Sequence, residues 1–125
     1  MGRDGLYLAN ATVLITHQID AAFWHEWELF GIPGGAPVNM LMNLPMMFAI
    51  VWGARALALG RIGGIVMSWA LVGSGAVAIA LHGWFLLHGH DAFRTPVSLS
   101  LLAATGVISA LQAAALLRSR AAATA

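Results

Sequence analysis

The stretch IGGIVMSWALVGSGAVAIALHGWFLLHGH, Ile62 to His90, contains no Asp, Glu, Lys or Arg. A helix needs about 20 consecutive apolar residues to cross the hydrocarbon core of a bilayer, and this run is long enough. It shows no sustained alternation of apolar and polar residues, as a strand of a membrane barrel would. The same absence of charge recurs on both sides. Leu29 to Ala54 and Thr95 to Leu117 carry none, and Leu6 to Trp24 is interrupted only by Asp20. These runs predict spans at residues 6–24, 37–59, 62–87 and 96–117 within one domain covering residues 1–125. The expected fold class is all-α, an integral membrane four-helix bundle.

Composition agrees. Of 125 residues, 60% are hydrophobic and 9% charged, against about 25% charged in soluble domains. A net charge of +1 leaves no basic patch to neutralise phosphates, so nucleic acid is excluded as a partner. The absence of cysteine excludes disulfides, iron–sulfur clusters and thiolate metal sites. Membrane lipids are the expected surroundings. Asp4 beside Arg3, and polar residues inside the first span, argue against reading that span as a cleaved leader.

The arginines divide by side. Arg3, Arg55, Arg61, Arg118 and Arg120 fall at one set of helix ends, whereas the other has Arg94 among Glu26, Glu28 and Asp91. Positively charged loops stay inside, so both termini are expected in the cytoplasm, in a bacterial cytoplasmic (inner) membrane. Trp24, Trp27 and Phe93 then fall at the outer boundary, where amphipathic rings collect. Ala121 to Ala125 reads as a frayed end.

Polar residues inside the spans need partners, because hydrocarbon supplies none, and ionisable ones are candidate functional groups. At 100° per residue, Asn10, His17, Asp20 and Trp24 share a face of the first span. Asn39 and Asn43 are one turn apart in the second span, and Ser68, Gly75, Ala78 and His82 form a stripe in the third. Ser98, Thr105, Ser109 and Gln112 share a face in the fourth. The economical arrangement turns all four stripes inward. By a rise of about 1.5 Å per residue, His17, Asn43 and His82 each lie roughly 10 Å beneath the outer boundary.

His17 and Asp20, three residues apart, are neighbours on their helix. One reading is a structural pair in which the carboxylate accepts the imidazole N–H. The sharper reading is a site, with His17 and Asp20 as catalytic groups. In that reading His17, Asp20 and His82 ligate a divalent metal such as zinc or iron, leaving an open position for water. Asn39, Asn43, His25, Glu26 and Ser98 complete the expected pocket.

The run Thr16-His17-Gln18-Ile19-Asp20-Ala21, followed by His25-Glu26-Trp27, resembles a family of uncharacterised small bacterial membrane proteins with a T-H-x-x-D-A motif and a following H-E-W. It is more loosely similar to membrane families named for an H-x-x-E-E motif, with Asp20 and Ala21 in place of the two glutamates. The resemblance implies a four-helix integral membrane protein and draws attention to His17, Asp20, His25, Glu26 and Trp27. It implies no activity.

Three functions fit these residues. The first is an outward-side pocket, metal-binding and acting on a lipid or small apolar substrate. A haem-binding electron carrier with His17 and His82 as axial ligands is the second. The third is a non-catalytic accessory or assembly subunit, paired with a membrane-protein partner or with copies of itself.

Overall fold

A computed structural model describes residues 2–90 and 93–124. Asp91, expected among the outer acids, lies outside the described residues. The chain is all-helical among those residues, with no strand. Helix α1 spans Arg3–Phe23, α2 Glu26–Leu29, α3 Gly35–Ala58, α4 Ile62–Leu87 and α5 Pro96–Thr124.

The ends follow from local chemistry. Thr95 caps α5: its Oγ1 accepts the Ser98 N–H at 3.1 Å, and Pro96 occupies the first helical position, where a missing N–H costs nothing. The α3–α4 turn is a Schellman closure. Gly60, at φ 65°, donates to the Leu57 carbonyl and Arg61 to that of Ala56, both at 2.9 Å. His25 is left-handed at φ 53°, which ends α1 and redirects the chain into α2. This short helix lies where the sequence reads as an open loop, because one left-handed residue leaves no trace in hydrophobic periodicity. The alanine-rich tail also departs from expectation. It stays helical to Thr124, in keeping with alanine's helix propensity.

Helices α3 and α5 stand at opposite corners of the assembly. Each packs against both α1 and α4, and α1 meets α4 across the middle. Tyr7, Ala11, Leu14, Ile50, Leu57 and Leu71 form an apolar core between α1, α3 and α4, whereas the interior facing α5 is polar. Asn10 has no exposed surface, and Ser68, Thr105, Ser109 and Gln112 are buried with it. Asn10 Nδ2 donates to Gln112 Oε1 at 2.6 Å, and Ser109 Oγ donates to Asn10 Oδ1 at 3.2 Å. Tyr7 Oη donates to the Ile50 carbonyl at 2.8 Å, tying α1 to α3. Gly75 lets α5 approach α4: a Cβ there would meet the Ser109 hydroxyl.

The outside is apolar. Met40, Leu41, Leu44, Phe48, Ile62, Val66, Val97, Val107 and Leu111 are all exposed. Water would penalise such a surface, whereas a bilayer solvates it. Helices α3, α4 and α5 are long and apolar enough to cross a membrane. The more polar α1 faces the buried hydrogen-bonding groups just described.

Candidate functional site

His17 and His82 meet where α1 crosses α4. Their ring centroids are 4.6 Å apart, edge to face, and the residues are 3% and 2% exposed. The convergence follows from the two polar stripes: each helix turns its imidazole toward the interior. Phe93, left-handed at φ 68° and 2% exposed, caps the pair with its ring 4.5 Å from that of His82. Trp27 of α2, 8% exposed, closes the same end. Trp27 and Phe93 are therefore buried plugs. The sequence pattern alone placed them as boundary rings.

The hydrogen bonds around the pair define its chemistry. His82 Nδ1 lies 2.9 Å from the Ala78 carbonyl oxygen. A carbonyl only accepts, so Nδ1 bears the hydrogen. His82 Nε2 is buried and has no hydrogen-bond partner. It faces Glu26 Oε1 at 3.5 Å, beyond the 2.7–3.2 Å range of a well-formed N–H···O bond. Burial pushes the Glu26 carboxyl above its usual range; His82 opposes that rise and Asp20 adds to it. His17 Nδ1 is also buried and without a hydrogen-bond partner.

Asp20 is engaged elsewhere. Its Oδ1 accepts from Ser98 Oγ at 3.0 Å, and Ser98 Oγ is 2.8 Å from Thr95 Oγ1. Since the Ser98 hydroxyl donates to Asp20, the Thr95 hydroxyl donates to Ser98. The relay fastens α1 to the start of α5. The expected His17–Asp20 hydrogen bond does not form, because α5 offers Asp20 a competing donor across the helix contact. Asp20 Oδ2 is buried without a partner.

The remaining expected residues separate. Asn39 lines the cavity beside the histidine pair. Asn43 instead donates through Nδ2 to the Asn39 carbonyl at 2.9 Å and to Asn39 Oδ1 at 3.3 Å. His25 is exposed, stacks on Trp27 at 4.9 Å, and has its Nδ1 3.5 Å from Glu28 Oε1. Glu26 becomes a central member because α2 carries it over His82. Gln18 and Trp27 also line the cavity.

That cavity measures about 470 Å³ and lies among α1, α2, α3 and α4. Its polar end is formed by His17, Gln18, Glu26, Asn39 and His82, and Leu14, Met46, Ile50, Met67 and Leu71 line its apolar depth. Pockets of roughly 300–1,000 Å³ with an apolar lining and a few converging polar groups are the usual form of small-ligand sites.

Among the described residues no group of three or more His, Asp or Glu side chains could hold a metal ion. His17, Asp20 and His82 are brought to one region without forming a ligand cage, since Asp20 is turned toward Ser98. The haem reading meets a steric obstacle. Imidazole rings already in edge contact at 4.6 Å leave no room for a porphyrin between them.

A family model described as "Family of unknown function (DUF6713)" matches residues 4–119. No curated protein matches the chain, and no solved structure does.

Proposed function

Because the chain belongs to this family of unknown function, its role has to be read from the site, and we propose that it is a membrane protein binding a small single-chain amphiphile. In this reading α1 is a fourth crossing beside α3, α4 and α5, forming a four-helix bundle. Its 21 residues measure about 32 Å at 1.5 Å each, enough to traverse the core. The arginine distribution supports cytoplasmic termini and a bacterial inner membrane. The cavity then opens in the outer half, with its polar end toward the headgroups.

The observation that carries the proposal is the junction of two environments in one cavity. Two buried imidazoles with unpartnered nitrogens stand at one end, and methionine and aliphatic side chains line the rest. Unpaired buried polar atoms are costly, and an apolar depth selects a hydrocarbon tail. A molecule with one polar head and one tail satisfies both. Flexible Met42, Met46 and Met67 suit such a lining, since thioether side chains adapt to irregular occupants.

Thermal denaturation of the detergent-purified protein tests this reading. Single-chain alcohols, amines and acids form the ligand panel. At least one raises the wild-type midpoint, through binding to the folded state alone. Ala78→Phe and Ala49→Phe, which fill the cavity from α4 and α3, abolish the rise. No shift in wild type with any member removes the reading.

A further inference from the structure

We infer that the occupant of this cavity presents an uncharged hydroxyl group to His82. The inference rests on the binding function proposed above and specifies the head chemistry.

His82 is held in one tautomer by the backbone of its own helix. The bond to the Ala78 carbonyl fixes the hydrogen on Nδ1, so the neutral ring offers Nε2 as a lone pair. That nitrogen is buried and unpartnered in a residue 2% exposed, and the residue lines the cavity. Another buried acceptor without a partner, Asp20 Oδ2, belongs to a residue outside the cavity lining. Glu26 places a carboxyl oxygen 3.5 Å from Nε2. The group facing Nε2 is thus a carboxyl, although Gln18 and Asn39 bring amide groups to the same end of the cavity.

This pattern discriminates among heads. A carboxylate or phosphate would bring further acceptors against Nε2 and Glu26, and neither arginine nor lysine is among the lining residues to balance its charge. An ammonium would supply donors and could pair with Glu26, but it would carry a full charge from water into a mostly apolar cavity, and a desolvated ion pair repays that cost only with close hydrogen-bonded geometry. A hydroxyl donates one hydrogen to Nε2 and carries no charge. Its oxygen also accepts. The tautomer of His17 is not fixed by any bond to the ring, so its Nδ1, buried and unpartnered beside His82, is free to supply that N–H. Long-chain alcohols, phenols and quinols share this chemistry.

Quenching of Trp27 provides the test, because Trp27 lines the cavity and is 8% exposed. Undecanol, undecylamine and undecanoate carrying bromine on carbon 4, close to the head that meets Trp27, are titrated into the detergent-solubilised full chain, at a pH where the acid is ionised. The signal is the fluorescence lost in wild type but not in Trp27→Phe. The alcohol is expected to act at a concentration at least tenfold lower than either charged probe. In Glu26→Gln, which replaces one acceptor with an amide able to donate, the alcohol–carboxylate gap narrows. Equal potency, or an order led by the amine or the acid, overturns the hydroxyl inference and leaves the amphiphile site standing. A gap unchanged in Glu26→Gln overturns the part given to Glu26 in the selectivity. Failure of all three probes to quench Trp27 removes the inference together with the binding function beneath it.

Discussion

Replacing Asn10 and Gln112 singly and together by leucine tests whether the polar interior holds the site in shape. Asn10 is wholly buried and Gln112 is buried with it. Their bond, at 2.6 Å, is short, and Asn10 also accepts from Ser109 at 3.2 Å. Asn10 lies ten residues before Asp20, or about 15 Å along α1. The Asn10–Gln112 and Asp20–Ser98 contacts thus fasten α1 to α5 at two levels, with His17 between them. Interhelical hydrogen bonds in membranes average about 0.6 kcal/mol by double-mutant cycle and reach about 1.7. Asn10→Leu removes two such bonds and strands the Gln112 carbonyl oxygen, so its cost is expected at about 1–3 kcal/mol. Gln112→Leu removes one bond and strands the Asn10 amide. In the double variant neither amide remains, and the Ser109 hydroxyl loses its acceptor there just as in Asn10→Leu, so the cost falls below the sum of the singles by about 0.6–1.7 kcal/mol. Reversible unfolding in mixed micelles, titrated with dodecyl sulfate, reads these values. Additivity within about 0.3 kcal/mol would refute the reasoning, since independent sites behave that way.

Topology and pH supply two further predictions. The chain has no cysteine, so single cysteines report sidedness directly: Glu28→Cys and His90→Cys should react with an impermeant thiol reagent in intact cells, whereas Asp4→Cys, Arg61→Cys and Arg118→Cys should not. Labelling of Asp4→Cys and Glu28→Cys from the same side would remove the fourth crossing. For Glu26, burial raises the folded-state carboxyl above its unfolded value of about 4.3, so the native state holds its proton to higher pH. The stability gained from that proton is complete below the unfolded value and is lost as pH rises through the folded one. Glu26→Gln should therefore flatten the fall in stability above pH 4.3 or so and leave the variant the more stable near neutrality. A steeper fall in the variant would show that pairing with His82 outweighs burial.

Much of this architecture is legible in the amino-acid sequence. Uncharged runs fixed the α3, α4 and α5 segments to within a few residues, apart from the longer tail of α5. Membrane helices are selected by bulk transfer of side chains, and local composition reports that transfer. The inward stripes were legible for the same kind of reason. Ser98, Thr105, Ser109 and Gln112 recur at helical period, and all four are buried. His17 and His82 were expected at one depth, and their rings touch.

Partner choice was another matter. A helical wheel gives the direction and height of a side chain, but not which neighbouring helix stands opposite or at what axial offset. Asp20 could reach His17 on its own helix, yet it bonds Ser98, because α5 brings a hydroxyl to the better position. Asn43 turns back to Asn39. The positions of Glu26 and Phe93 depend on left-handed backbone at His25 and at Phe93 itself, which hydrophobic periodicity does not encode. Sequence by itself determined that this chain is helical, which segments are apolar and which faces are polar, because those follow from side-chain solvation residue by residue. Tertiary structure alone decided that two imidazoles end with unpartnered nitrogens over an apolar cavity, because hydrogen-bond satisfaction depends on distances between helices far apart in the chain.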